Sequence, residues 1–256
     1  MNELPVVSVQ NISKSFRQND GRLLEVLCDV SFDVGQNEIV AVIGHSGCGK
    51  TTLLRIACSF EPPDNGFVLL DGVKCVKPCK DMLMLFQGFN QLLPWKTVLG
   101  NVVHPLVATK SVRSRQDAKK HAQKRIRDVG LESFEQSYPH QLSGGMKQRA
   151  AVARALALQP RVMLMDEPFA SLDNITRGAL QVLTRRVCEK YGISALLVTH
   201  SVEEAVVMAD RIIVMDKNPG RVKAILTNAA KDAPPEQRAE FTAEALRLLG
   251  SQEELV

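Results

Sequence analysis

No run of about 18 consecutive apolar residues occurs in the sequence, which excludes a membrane-spanning helix. The first residues, Met-Asn-Glu-Leu-Pro, show no basic region followed by an apolar stretch, so a secretory signal is not expected. Aromatic residues are scarce at 5%. None is interleaved with the basic residues at 119–127 as a base-stacking surface requires. Charge of one sign does not dominate either: 32 basic against 28 acidic residues leave +4, which suits an anionic ligand but not a dedicated nucleic-acid binder. Cys28, Cys48, Cys58, Cys75, Cys79 and Cys188 are too few in 256 residues for a disulfide framework, and reduced thiols are expected. Cys75 and Cys79 form a lone C-x3-C without the second pair or the histidines a zinc site needs. Neither an internal repeat nor a low-complexity tract is found. Hydrophobic (45%) and charged (23%) contents are those of a folded globular chain, long enough for one large domain or two small ones.

Four short apolar runs stand out, at 39–43, 162–165, 195–198 and 212–215. They do not alternate with polar residues, as expected of parallel strands buried on both faces. Each ends on a polar or turn residue: Gly44, Asp166, Thr199 and Asp216. Ligands of open α/β sheets bind beyond such carboxyl ends. From 6 to 38 the pattern changes to period two, with Val6, Ser8 and Gln10 alternating with Val7 and Val9, and Val30, Phe32 and Val34 with polar neighbours. Antiparallel strands are predicted there, turning at Asn19-Asp20-Gly21. The stretch 88–158 reads as helical. Ala118, Ala122, Ile126 and Val129 form one apolar face, while Lys119, Lys120, Lys124, Arg125 and Arg127 form an opposite, solvated one. Past Pro234-Pro235, the spacing of Phe241, Ala245, Leu248 and Leu249, stopped by Gly250, predicts a short packed helix.

The chemistry begins at Gly44-His45-Ser46-Gly47-Cys48-Gly49-Lys50-Thr51, which fits G-x-x-x-x-G-K-[ST] between a predicted strand and a helix opening at Thr52. Glycines let successive amides turn toward phosphate oxygens, and the helix N-terminus adds partial positive charge. Lys50 is assigned to the β- and γ-phosphates and the Thr51 hydroxyl to Mg²⁺. At the end of the 162–165 run, Asp166 supplies a carboxylate for the metal. Glu167 is placed to polarise an attacking water. Cys48, beside Lys50 and near a helix N-terminus, is expected to form a thiolate readily. Small-molecule kinases, GTPases and helicases share such a loop. The segment Leu142-Ser143-Gly144-Gly145, opening a helical run at 147–158, reads as a second phosphate cradle. A simple account has it complete the site of another copy, in a head-to-tail dimer holding two ATP.

With these motifs in order, the chain resembles the ATP-binding subunits of ABC transporters over about residues 6 to 225. The resemblance implies an α/β P-loop NTPase fold: a mainly parallel core sheet, an N-terminal antiparallel β-subdomain and an inserted α-helical subdomain. The core lobe would span about 1–87 and 159–225, the helical subdomain about 88–158 and a C-terminal helical tail about 226–256. It implies roles for Phe16 stacking on adenine (a plain core aromatic is the alternative), Gln87 sensing Mg²⁺, Ser171-Leu172-Asp173 as the D-loop and His200 contacting the γ-phosphate. The resulting assignment is catalysis by Glu167, His200, Lys50 and Gln87; nucleotide binding by Phe16, 44–52 and Ser143, Gly144 and Gly145; and Mg²⁺ held by Thr51, Gln87 and Asp166. Leu92-Leu93-Pro94-Trp95, Thr176-Arg177 and Asn218-Pro219-Gly220-Arg221-Val222 are similar to importers of nitrate, sulfonate, taurine and bicarbonate, although Ser201 and Ala170 depart from the commoner Asp and Gly. Partners then follow: a second copy, integral membrane permease subunits seated on the Leu92–Trp95 loop, and an extracytoplasmic solute-binding protein, with the chain peripheral at the cytoplasmic face of the inner membrane and no nucleic acid bound. Trp95 has core packing as its other reading. A soluble ABC ATPase of repair or translation is the rival class, but no heptads or second cassette appear. The missing membrane span thus comes to mean that the membrane subunits are separate chains.

Overall fold

The computed structural model describes residues 4–86, 88 and 91–250. In chain order it contains strands β1 (Val7–Arg17), β2 (Leu23–Val34) and β3 (Ile39–Ile43), helix α1 (Lys50–Ala57), strands β4 (Asn65–Leu70), β5 (Val73–Lys74) and β6 (Met82–Leu85), helices α2 (Val98–Ala108), α3 (Arg115–Asp128) and α4 (Gly144–Ala157), strand β7 (Val162–Asp166), helix α5 (Asn174–Tyr191), strand β8 (Ser194–Thr199), helix α6 (Val202–Met208), strands β9 (Arg211–Met215) and β10 (Val222–Thr227), and helix α7 (Pro235–Leu249).

The four apolar runs are the inner strands of one sheet, ordered β10-β9-β3-β8-β7-β6, parallel except for β10. Their lack of alternation has a direct cause. Val40, Val42, Leu164, Leu196, Val198 and Ile213 face α1 and the antiparallel sheet, while Ala41, Ile43, Met163, Met165, Leu197 and Val214 face the helices on the other side. Both faces are dry, so every position is apolar. The second sheet, β2-β1-β4-β5, is antiparallel throughout. In β2, Val30, Phe32 and Val34 point inward as predicted. At the start of β1 the alternation fails: Val6, Val7 and Val9 are all buried, and so is Ser8, whose hydroxyl donates to Asp33.

The apolar face of α3 is as predicted, with Ala118, Ala122, Ile126 and Val129 fully buried. Arg125 departs from the solvated face. It is 4% exposed, its guanidinium 4.1 Å from the Tyr191 ring centroid and 3.5 Å from Asp128. The apolar stem and planar head let it pack where lysine would not. Helix α4 starts at Gly144 rather than 147, because Ser143 caps it by accepting from the Met146 amide at 3.3 Å. The tail helix α7 forms as predicted, with Gly250 closing it at φ 76 and Ala245 fully buried. Strands β4, β5, β6 and β10 are not foreseen from the sequence. β5, β6 and β10 are edge strands, β4 opens on the turn signal Asn65-Gly66, and β10 alternates half-buried with exposed residues around two basic neighbours.

Candidate active site

Three parallel strands end at one place. β3 runs into the loop 44–49, which turns into α1 at Gly49, a residue at φ 92 whose side a Cβ would drive to 2.6 Å from Leu27. Lys50 is 7% exposed and its Nζ donates to the carbonyls of Gly44 (2.7 Å) and His45 (3.0 Å). This holds the ammonium inside the loop's own curve. Ser46 and Gly47 are exposed on the loop, and Thr52 is half-buried in the first turn of α1.

Thr51 donates to Asp166 at the end of β7, 3.1 Å away. Asp166 is 5% exposed; burial pushes its carboxyl above the ordinary value, against the Thr51 hydrogen bond and Lys50. The next residue, Glu167, sits at φ 42, a left-handed backbone conformation that costs a non-glycine residue energy. Its amide donates to Val198 of β8 at 3.0 Å, and its carboxylate lies 3.1 Å from Nδ1 of His200, just past β8. Two pairs whose members lie in separate motifs are therefore assembled by the sheet beside the lysine-bearing loop: Thr51 with Asp166 and Glu167 with His200.

The other predicted residues stand elsewhere. Phe16, 39% exposed, lies near the end of β1 with the Lys14 ammonium 5.2 Å from its ring centroid. Ser143, Gly144 and Gly145 open α4, where a Cβ on Gly145 would come within 2.4 Å of Thr176. Gln87 lies outside the described residues. Cys48 contradicts its reading: the thiol is buried and its pKa is pushed up by desolvation, which outweighs the opposing Lys50 ammonium. Cys75 and Cys79 are free, and no cluster of three or more His, Cys, Asp or Glu side chains placed to hold a metal is found among the described residues.

Several structural residues escaped the sequence reading. Glu204 is buried, accepts from the Thr199 hydroxyl at 2.7 Å and lies 3.7 Å from Arg177, which donates to the Leu172 carbonyl at 2.9 Å. The D-loop and the strand before His200 are tied together this way. Asn101, fully buried, accepts from the Leu93 amide and donates to the carbonyls of Leu93, Lys96 and Thr97. It shapes the turn that leaves Trp95 70% exposed. An asparagine amid Val-Leu-Gly-Asn-Val-Val was the available signal, since a buried amide must have partners.

A parallel sheet whose strand ends carry a glycine loop with its lysine, a Thr–Asp pair and a Glu–His pair defines a P-loop nucleoside-triphosphate-binding protein. The sequence matches the ABC transporter family over residues 27–170, and the chain belongs to that family. It is 45% identical to the uncharacterized ABC transporter ATP-binding protein MJ0412 of Methanocaldococcus jannaschii, over 86% of this chain and 81% of that one. The taurine import ATP-binding protein TauB of Rhizobium johnstonii is 40% identical over 86% of this chain and 82% of its own length. The bicarbonate transport ATP-binding protein CmpC of Synechocystis is 42% identical over 84% of this chain, which spans only 32% of CmpC. In structure, the chain is similar to the ATP-binding cassette MJ0796 in a dimeric post-hydrolysis state with ADP and Pi, at a TM-score of 0.75 and 31% identity, covering 86% of this chain and 98% of that one.

Proposed function

We propose that this chain is the ATP-hydrolysing subunit of a membrane importer for a small solute of the nitrate, sulfonate, taurine or bicarbonate kind. The decisive observation is the meeting of the Thr51–Asp166 pair and the Glu167–His200 pair beside the lysine-bearing loop. In this reading the loop amides and Lys50 bind the β- and γ-phosphates at the N-terminus of α1. The Thr51 hydroxyl and Asp166 carboxylate, 3.1 Å apart, are hard oxygen donors of the kind Mg²⁺ takes, with Gln87 as a third. When bound, Mg²⁺ supplies neutralisation of phosphate charge. Glu167 positions and polarises the attacking water. His200 orients that carboxylate and reaches the γ-phosphate, and Phe16 stacks on the adenine.

Ser143, Gly144 and Gly145 complete the site of a second copy, giving a head-to-tail pair around two ATP; the dimeric state of MJ0796 supports this arrangement. The taurine, nitrate and bicarbonate import names of the relatives support permease partners and, beyond them, an extracytoplasmic solute-binding protein. The chain would then sit peripherally at the cytoplasmic face of the inner membrane. The core lobe (1–87 and 159–225) binds nucleotide, the helical lobe (88–158) carries the trans cradle, and the tail (226–256) follows. Among the described residues no helix is long and apolar enough to cross a membrane, consistent with separate membrane subunits.

Glu167→Gln keeps the shape of the side chain and removes the base. Steady ATPase should fall by about a hundredfold or more. The variant should also elute as an ATP-dependent dimer in size-exclusion chromatography. Turnover near wild type would overturn the assignment of Glu167.

A further inference from the structure

The chain that follows the last parallel strand runs close against the phosphate loop. Residues 216–221, between β9 and β10, pass directly behind it. Gly220 donates its amide to the Val26 carbonyl (2.9 Å), its carbonyl accepts from the Cys28 amide (3.0 Å), and it forms a bridge with Leu27. It thereby lies against the loop: a Cβ on Gly220 would come within 2.1 Å of the Cys48 carbonyl oxygen and 3.1 Å of the Val26 carbonyl oxygen. Gly220 is not in the left-handed region, so its requirement is close approach rather than conformation. Arg221, next in line, reaches the Cys28 sulfur at 3.1 Å.

A second contact comes from the end of α7. The carbonyl of Leu249, the last residue of that helix, lies 2.9 Å from Nε2 of His45. A carbonyl only accepts, so Nε2 carries the proton. His45 is the second residue of the loop, and its own carbonyl accepts from Lys50. The path from α7 to the lysine therefore runs through a single residue.

We propose that residues 216–250 clamp the loop in the conformation that cradles phosphate, with Gly220 and His45 as positioning residues for nucleotide. This rests on the loop being the phosphate site. Its physical basis is preorganisation. A loop with glycines at 44, 47 and 49 has much backbone entropy to lose. If contacts made by the fold remove that entropy beforehand, nucleotide binding does not bear the cost.

The test uses the full chain and two readouts: hydrogen exchange of amides 44–49 without nucleotide, and equilibrium binding of a fluorescent ATP analogue with Mg²⁺. Gly220→Ala and His45→Ala should each speed that exchange about fivefold or more. Both should weaken binding by about tenfold, the scale of one lost hydrogen bond. His45→Gln, which keeps a nitrogen donor, should recover most of the His45→Ala loss. Wild-type exchange and binding in both alanine variants would overturn the clamp. If Gly220→Ala does not fold, the His45 pair decides: no change in His45→Ala, or a loss that His45→Gln does not repair, overturns it. The phosphate-site reading fails separately, if the wild type binds the analogue no better than Lys50→Ala; the exchange experiment still judges the clamp.

Discussion

At Cys48 two influences of opposite sign act on one thiol. The Lys50 ammonium, 3.8 Å from the sulfur, favours the thiolate, and burial disfavours it. Burial prevails, since the residue is fully enclosed beneath Gly44 and the pKa is raised. At neutral pH iodoacetamide should therefore label the exposed Cys79 at least about tenfold faster than Cys48, because reactivity follows thiolate content and access. Peptide mass spectrometry over a labelling time course reads both rates, and equal rates would contradict the burial account. The same balance holds at Asp166, where desolvation raises the carboxyl against the Thr51 hydrogen bond. The sequence shows which charges neighbour these groups along the chain. It does not show how much water they keep, and here water decides the sign.

Between elements, a network of polar contacts joins the last residue of α3 to the end of α5. Asp128 receives hydrogen bonds from Lys190 and Tyr191 and lies 3.5 Å from Arg125, with its side chain 8% exposed. Burial alone would raise its carboxyl; the bonds from Lys190 and Tyr191 and the nearby cations outweigh that and hold it below the ordinary 3.8. A carboxylate whose pKa is lower in the folded than in the unfolded chain adds stability above the unfolded value, and that stability is lost as pH falls through the folded one. Asp128→Asn should cost about 2 kcal/mol at neutral pH, or about 4–8 °C in Tm for a chain of this size. The difference from wild type should shrink as the pH is taken below 3.8. Thermal melts of both proteins across that range read it, and a gap unchanged at low pH would assign the cost to packing instead. Only the Arg125–Asp128 pair, at i,i+3, is local; Asp128 and Lys190 are far apart in the chain and meet only because α3 and α5 do.

For the molecule as a whole, the surface that faces outward bears on assembly. Trp95 is 70% exposed on a turn held by Asn101, and Phe60 and Phe86, both partly exposed, stack nearly parallel at 6.1 Å. Core packing of the tryptophan is thus set aside. On the proposed permease-docking role, Trp95→Ala should leave ATPase activity of the isolated subunit intact and lower co-purification with the membrane subunit about tenfold, as loss of an aromatic anchor does. Unchanged co-purification would remove Trp95 from the interface. The emission of this single tryptophan should be that of a water-exposed indole in the free subunit and shift to the blue on assembly.

The sequence by itself determined the class of fold and singled out the lysine-bearing loop and the acidic residues that the strand ends bring beside it. Both depend on short-range patterns: apolar runs too continuous for a half-wet strand, and G-x-x-x-x-G-K-T held between a strand and a helix. It also determined the α3 face and the tail helix, where a single period over a dozen residues leaves little choice. What only the tertiary structure decided is what meets across the chain. Glu167 with His200, Glu204 with Arg177, Gly220 against Cys48 and Leu249 against His45 are contacts between elements distant in sequence. Local propensity carries no information about them. They follow from the order in which the strands pair, and that order is set by burying both faces of the sheet at once.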